Sequence, residues 1–326
     1  MRYLAPLVVL ALAAVVATFL ISSGGQSTKA PQGPPQPFVL APPRSPATPL
    51  LRATSSASYP LRLRRDDGSE IVIAAQPRRI LSLSAGATEI LFQIGAGPQV
   101  AAVSPDSDYP PEAALPRVAA DAGVTAIQAV NPDLIVVVGA DARTVNTLDS
   151  AAVPVVALKA PATVAELEQQ IQFFGDVTGR LADAQSAAAA LGRRVDAIQR
   201  QLASTPQGPS VYVEVGPANR AAAPGSLTGD LLHLLKAQNV VASTAEPYPT
   251  VAPGSVAAAN PDVIVLPGTG DASAVPAGQT RPDWANVAAV RNGRVVAVNP
   301  VLIVRPGPRI ADGLLMLEQI LYPNRP

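Results

Sequence analysis

The chain has 326 residues, 48% of them hydrophobic, which is enough for one large domain or two of ordinary size and excludes disorder throughout. Lysine plus arginine number 24 and aspartate plus glutamate also 24, so no excess positive field exists to hold nucleic acid or an anionic membrane. With no cysteine and one histidine, disulfides, thiolate zinc sites, iron–sulfur clusters, cysteine nucleophiles, a lipid-modified cysteine and a clustered imidazole metal site are all excluded.

The chain begins MRYLAPLVVLALAAVVATFLISSGG, with Arg2 ahead of an apolar run from Leu4 to Ile21. That run exceeds the roughly 7–15 residues of a signal-peptide core and approaches the roughly 18–20 needed to span a bilayer. Residues 1–25 therefore read as a membrane anchor, with a cleaved signal as the alternative. Both place the remainder outside the cytoplasm, because the positive charge stays within it. Residues 26–58, rich in Pro, Ser, Ala and Thr without a period, read as an extended tether. Then YPLRLRRDDGSEIVIAAQ sets an Asp-Asp-Gly turn between alternating segments, which predicts a β-hairpin.

From residue 79 short β-branched runs alternate with helical patterns. The predicted order is strand RILSLS, helix over 88–94, strand QVAAVS, helix VTAIQAV, strand DLIVVV, helix near 142–150, strand VPVVALK and helix VAELEQQIQFFGDV. Near-continuous apolar strands separated by helices predict a parallel sheet covered on both faces. After Pro209 the pattern restarts with SVYVEV, helix SLTGDLLHLLKAQ, strand-like NVVAS, helix GSVAAA, and strands DVIVLPG and GRVVAVN, closing with helix RIADGLLMLEQIL.

Between the halves Leu181, Ala184, Ala188, Leu191, Val195, Ile198 and Leu202 recur at 3–4 spacing, predicting one amphipathic helix of about 25 residues and roughly 40 Å. Such a helix serves two flanking α/β halves as a spine, or pairs with another helix as a coiled-coil strand. NPDLIVVVG (131–139) and NPDVIVLPG (260–268) repeat one motif across the two halves. Proline cannot continue a helix and pushes the residue before it out of the right-handed region, so each motif marks a helix end and the start of a buried parallel strand. Any doubly wound sheet can carry such a connection once; twice, with a spine between, it favours two similar lobes.

Ligands of open α/β sheets bind at the carboxyl ends of strands, where small residues and helix N-termini expose backbone N–H groups. After RILSLS the small residues Ala85, Gly86 and Ala87 turn the chain and Thr88-Glu89 open a helix; the plainer reading makes Thr88 a cap and Glu89 a dipole partner. In SPDSDYPPEAALP, prolines 110 and 111 fix a loop carrying Tyr109, either as a ligand platform or as a ring packed on its prolines. In the second half Glu214 ends a strand, Gly225-Ser226 open a helix, and Tyr248 stands between prolines in a loop able to face a cleft. Trp284 reads as an anchor for a hairpin-like segment, and His233 as a packed helix residue with an axial haem ligand as the sharp alternative. No G-x-S-x-G, P-loop or H-E-x-x-H motif is present, and no carboxylate pair stands out for catalysis.

RRILSLSAGATEILFQIGAGPQVAAVSPDSDYPPEAALPRV, DWANVAAVRNGRVVAVN and RPGPRIADGLLMLEQILYP, in this order around the two NPD motifs, resemble the periplasmic solute-binding proteins that feed cobalamin and iron-siderophore ABC importers, from about Tyr59 to the end. SDYPP looks most like the corrinoid-binding branch. The resemblance implies an α/β fold of two Rossmann-like lobes joined by one long backbone helix, with a ligand cleft between lobes. Residues 59–177 would form the first lobe, 178–204 the backbone helix and 205–326 the second lobe. It implies ligand contacts from Ala85, Gly86, Tyr109 and Arg309; Tyr248 is added from its own loop. An aromatic that the branch often carries is replaced by Val138-Gly139, and the family's two permease-docking glutamates fall on Thr125 and Gly254, with Asp121 and Glu246 nearby. The expected protein is a monomeric receptor outside the cytoplasm, without resident cofactor or catalysis. It would be tethered to the membrane and would pass a corrinoid or iron chelate (siderophore or haem) to an ABC permease. The rival expectation is a tethered interaction module on the same fold that no longer serves transport.

Overall fold

The computed structural model describes residues 58–324 apart from 66–67, 253, 270–271 and 277–279. The apolar start, nearly all of the tether, and Asp66-Asp67 of the predicted turn lie outside the described residues. The hairpin is present: β1 (Leu61–Arg64) pairs antiparallel with β2 (Glu70–Ile73), burying Leu61, Leu63, Ile71 and Ile73 on one face.

The first lobe runs β3 (Ile80–Ser82), α1 (Ala85–Gln93), β4 (Val100–Val103), α2 (Val124–Ala129), β5 (Leu134–Val138), α3 (Ala142–Asp149), β6 (Val155–Leu158) and α4 (Val164–Thr178). Its sheet is wholly parallel in the order β4-β3-β5-β6. Ile80, Leu134 and Val136 face one core while Leu81, Ile135 and Val137 face another, which is why these strands read as unbroken apolar runs. Helix α5 (Leu181–Gln201) follows. The second lobe runs β7 (Ser210–Gly216), β8 (Arg220–Ala221), α6 (Leu227–Leu234), β9 (Gln238–Asn239), α7 (Ser255–Ala259), β10 (Val263–Pro267), β11 (Ser273–Ala274), α8 (Ala288–Arg291), β12 (Val295–Val298), α9 (Val301–Val304) and α10 (Ile310–Leu321). Its parallel strands lie in the order β9-β7-β10-β12, with β8 antiparallel on β7 and β11 antiparallel on β12. Counted from its own first parallel strand, each lobe has the same order, second-first-third-fourth.

The NPD motifs precede the third strand of each lobe. Asn131 (φ 51) and Asn260 (φ 47) both adopt the left-handed conformation that ends a helix and that asparagine tolerates better than most residues. Proline therefore acts beside an αL cap and does not stop the helix alone. The aspartate does separate work. Asp133 accepts hydrogen bonds from the backbone N–H groups of Arg78 (2.7 Å) and Arg79 (2.9 Å) ahead of β3, and Asp262 accepts from the N–H (2.9 Å) and hydroxyl (2.7 Å) of Ser210 at the start of β7. Each motif thus sets the register of the third strand against the first.

Helix α5 is unbroken but shorter than its apolar spacing predicted, 21 residues or about 31 Å, because Leu202 serves as its C-cap. It packs along α4 and reaches α10 of the second lobe, where Arg194 pairs with Asp312 (2.9 Å). Helix α4 ends at Gly179, in the left-handed region, and the chain turns directly into α5. The two helices cross so closely at Gly175 that a Cβ there would collide with the Ala184 Cβ and meet the Arg180 carbonyl oxygen at 3.1 Å. Three elements differ from the sequence expectations. Helix α1 begins at Ala85, three residues early; NVVAS contributes only the tail of a two-residue strand, Gln238–Asn239; and the segment after Trp284 is helical before β12, so no hairpin forms there.

A second tie joins the lobes. Asp230 on α6 accepts a hydrogen bond from the Val164 N–H (2.8 Å) in the first turn of α4. Burial raises the Asp230 carboxyl above its ordinary value, opposed by that hydrogen bond and by His233.

Gly175→Ala gains helix propensity but overpacks a contact made by atoms that cannot swing away, for a net loss of about 1 kcal/mol or more, read as a lower urea midpoint. A carboxyl whose folded pKa is raised holds its proton more tightly when folded, so Asp230 favours folding below its unfolded pKa of about 3.9 and loses that contribution as pH rises through the folded value. Asp230→Asn removes this titration, and unfolding curves taken from acid to neutral pH should show the variant gaining on the parent as pH rises.

Candidate functional site

Helix α1 follows β3, the first parallel strand of its lobe, so its N-terminus stands at the carboxyl edge of that sheet; in the second lobe α6 follows β7 after the short antiparallel return of β8. Ser84 is the N-cap of α1, yet its hydroxyl is held at the end of β5, accepting from Val138 N–H (2.8 Å) and donating to Val138 O (3.2 Å). Thr88 is not a cap. Its buried hydroxyl joins Ser82 (2.9 Å) and Ser107 (3.0 Å), and Ser107 joins Ser104 (2.8 Å). Arg117 adds hydrogen bonds to the carbonyl oxygens of Ser104 and Ser107. This relay fixes the loop that carries Asp108 and Tyr109 against the first turns of α1.

Onto the same turns comes Arg305-Pro306-Gly307-Pro308-Arg309, which leads into α10 of the second lobe. Glu89, 1% exposed at its side chain, receives Arg309 Nη2 (2.6 Å) and Nε (3.1 Å) and Arg305 Nη1 (3.1 Å). Glu89 is therefore a cross-lobe ion-pair centre, with no dipole role needed to explain it. Arg305 also reaches the Asp108 carboxylate (2.5 Å) and the Asp106 carbonyl (3.2 Å). The Arg305 hydrogen bond holds the Asp108 carboxyl below its ordinary range. The Arg309 guanidinium carbon lies 4.2 Å from the centre of the Tyr109 ring, which is 43% exposed.

Ala85 and Gly86 are buried. A Cβ at Gly86 would collide with the Pro306 carbonyl, and one at Gly307 would stand 2.9 Å from a Glu89 oxygen, so what these small residues admit here is the chain of the other lobe. Tyr248 is half-buried against the main core; burial raises its phenol, opposed by hydrogen bonds with Thr228 and Ser226 at the start of α6. Thr228 in turn donates to the Ile303 carbonyl (2.6 Å). The structure thus brings Ala85, Gly86, Tyr109 and Arg309 to one end of α1, and Tyr248 to the N-terminus of α6.

Trp284 is 2% exposed and stands edge-on to Tyr212, as an anchor would. Glu214 on β7 is buried and bound by Arg281 Nη2 at 2.8 Å from both of its oxygens. His233 lies on the exposed side of α6 and is not packed. Thr125, Gly254, Asp121 and Glu246 are all exposed. Among the described residues no group of three or more His, Asp or Glu could hold a metal ion, and no helix is long and apolar enough to cross a membrane. Sequence reasoning missed Arg305 and Asp108 and misread Glu89. The one available signal was the pair of arginines in RPGPR, spaced to reach a common partner.

Residues 80–302 match the family model described as periplasmic binding protein. An uncharacterised ABC transporter substrate-binding lipoprotein of Bacillus subtilis is 25% identical over 82% of this chain and 87% of its own length. A cobalamin-binding protein of Halobacterium salinarum is 27% identical over 83% of this chain and 76% of its own. The crystal structure of the periplasmic vitamin B12 binding protein of Vibrio cholerae superposes with a TM-score of 0.65 at 27% identity, covering 76% of this chain and 97% of that one. The chain belongs to the periplasmic binding protein family, and the two lobes described above are the fold of its solved neighbours.

Glu89→Gln keeps the shape and removes the charge facing two guanidinium groups. It should cost about 2–3 kcal/mol in urea unfolding, less than the 3–5 kcal/mol of a fully buried pair because Arg305 retains Asp108 and both arginines are partly wet.

Proposed function

We propose that this protein captures a corrinoid, or a comparably bulky iron chelate such as a ferric siderophore or haem, between its lobes and presents it to the permease of an ABC importer. The observation that carries this reading is the Tyr109–Arg309 stack. A half-exposed aromatic face lies under a guanidinium that Glu89 holds by Nε and Nη2, leaving Nη1 without a hydrogen bond among the described residues. A flat macrocycle or chelate with peripheral carboxylate, amide or phosphate groups suits such a surface, stacking on the ring while an oxygen accepts from the guanidinium. Ala85 and Gly86, covered by Pro306, set the position of this surface from below without reaching the ligand, and Tyr248 in the second lobe completes the proposed lining.

Binding proceeds without chemical turnover. The lobes are bridged by continuous α5, by the Glu89 ion pairs and by the hydrogen bond from Val164 N–H of α4 to Asp230 of α6, so capture involves a modest relative shift and not a wide hinge motion. The N-terminal apolar segment tethers the receptor on the outer face of the cytoplasmic membrane, with residues 26–58 as the leash and a single copy as the working unit. Thr125 and Gly254 stand where the family's docking glutamates fall by resemblance, so Asp121 and Glu246 are the carboxylates available to meet a permease. Nothing in the described residues favours the rival reading of a module withdrawn from transport.

Native mass spectrometry and thermal-shift curves with cyanocobalamin, a ferric siderophore and hemin should give one retained ligand and one stabilising response. Tyr109→Ala and Arg309→Ala should each weaken that binding by about tenfold or more. Flat curves and no retained mass across all three compounds would remove this reading.

A further inference from the structure

The loop that presents Tyr109 also carries Asp106, Asp108 and Glu112, all of them exposed. Asp108 is gripped at one oxygen by Arg305 Nη1 (2.5 Å), yet its side chain remains 65% exposed. The Arg305 hydrogen bond, with a smaller contribution from the charge of Arg309, keeps the Asp108 carboxyl below its ordinary range, so it is ionised at neutral pH. A fixed negative charge therefore stands next to the aromatic face on which Arg309 lies.

The charges around this face do not add up to a site for an anion. In α1, residues 104–117 and residues 305–309 the charged groups are the carboxylates of Glu89, Asp106, Asp108 and Glu112 and the guanidinium groups of Arg117, Arg305 and Arg309. Glu89 is engaged by Arg305 and Arg309, and Arg117 by the carbonyl oxygens of Ser104 and Ser107. Beside Tyr248 the second lobe adds one charge of each sign: Arg220, whose Nε donates to the Tyr248 carbonyl (3.4 Å), and Glu246. Arginines line the face, but these residues together hold no surplus positive charge.

What the face offers is a donor and an acceptor. Arg309 Nη1 has no hydrogen bond among the described residues and can donate to a guest oxygen, while the Asp108 carboxylate can only accept. A guest carboxylate would use the donor and be repelled by Asp108; a guest ammonium would use the acceptor and be repelled by Arg309. A neutral amide supplies an oxygen for the one and N–H groups for the other. We propose that Asp108 makes the cleft discriminate by charge, favouring guests fringed with neutral amides over guests fringed with carboxylates. This inference rests on the reading of the cleft given above and narrows it, placing an amide-fringed corrinoid ahead of a dicarboxylate such as haem.

Isothermal titration of the full chain with cyanocobalamin, with the cyanocobalamin monocarboxylic acids in which one side-chain amide is hydrolysed, and with hemin tests this. The parent should bind cyanocobalamin more tightly than hemin and than at least one of the monocarboxylic acids, by about threefold or more, and added salt should narrow the gap. Asp108→Asn should narrow the same ratios by about threefold or more, whereas Asp196→Asn, an equal charge change at an exposed position on α5, should leave them as in the parent. The urea midpoint of each variant checks that the fold is kept, and the salt dependence of the parent needs no variant. Binding of these compounds with no preference for the amide form, or a preference that Asp108→Asn leaves intact, overturns the inference while the receptor reading stands. Binding of none of them removes both.

Discussion

A single buried carboxylate governs how the two halves of this molecule meet. Glu89 belongs to the first helix of the first lobe, and its partners Arg305 and Arg309 come more than two hundred residues later, just ahead of the last helix. Taking a carboxylate and two guanidinium groups away from most of their water is costly, and the cost is recovered only if all three stay in register. Much follows from that condition. Gly86 and Gly307 are needed to let the chains approach, the serine–threonine relay is needed to hold the Asp108 loop beside Arg305, and Arg309 comes to rest on Tyr109 as a by-product of its grip on Glu89. The surface proposed to stack a ligand is therefore set by an ion pair that need not touch the ligand.

The lobes could be read from the sequence because their signals are local. Apolar runs buried on both faces of a parallel sheet, the 3–4 spacing of α5 and the paired NPD motifs each report on a stretch of a few residues. Boundaries were less legible where a backbone cap overrides side-chain identity. Ser84 caps α1 although its hydroxyl is engaged with β5, so Thr88 looked like the cap from sequence when it is a buried hydroxyl in a tertiary relay. His233 misled in the same manner: its apolar neighbours suggested a packed side chain, but the helix phase turns it outward.

The cleft was legible only in part. Tyr109 and Arg309 were singled out one at a time, and their stacking depends on two lobes brought together by contacts that no pattern in one strand or helix encodes. Glu89 illustrates the difficulty most plainly. Near a helix N-terminus an acidic residue has an adequate local explanation in the helix dipole, and that explanation hides its partnership with the far end of the chain. The Glu214–Arg281–Trp284 group was hidden likewise, since Trp284 is fully accounted for as a core anchor until the guanidinium above it is seen.

Asp133 and Asp262 fasten their sheets at the edge where strands begin, far along each strand from the loops in which the recognition chemistry is gathered. Scaffold and selectivity are thereby assigned to opposite rims of the same sheet. Loops at the carboxyl rim are free to be exchanged, lengthened or recoloured with new side chains without loosening the clasp at the amino rim, so one frame of this kind can be retuned from guest to guest while its foundations stay untouched.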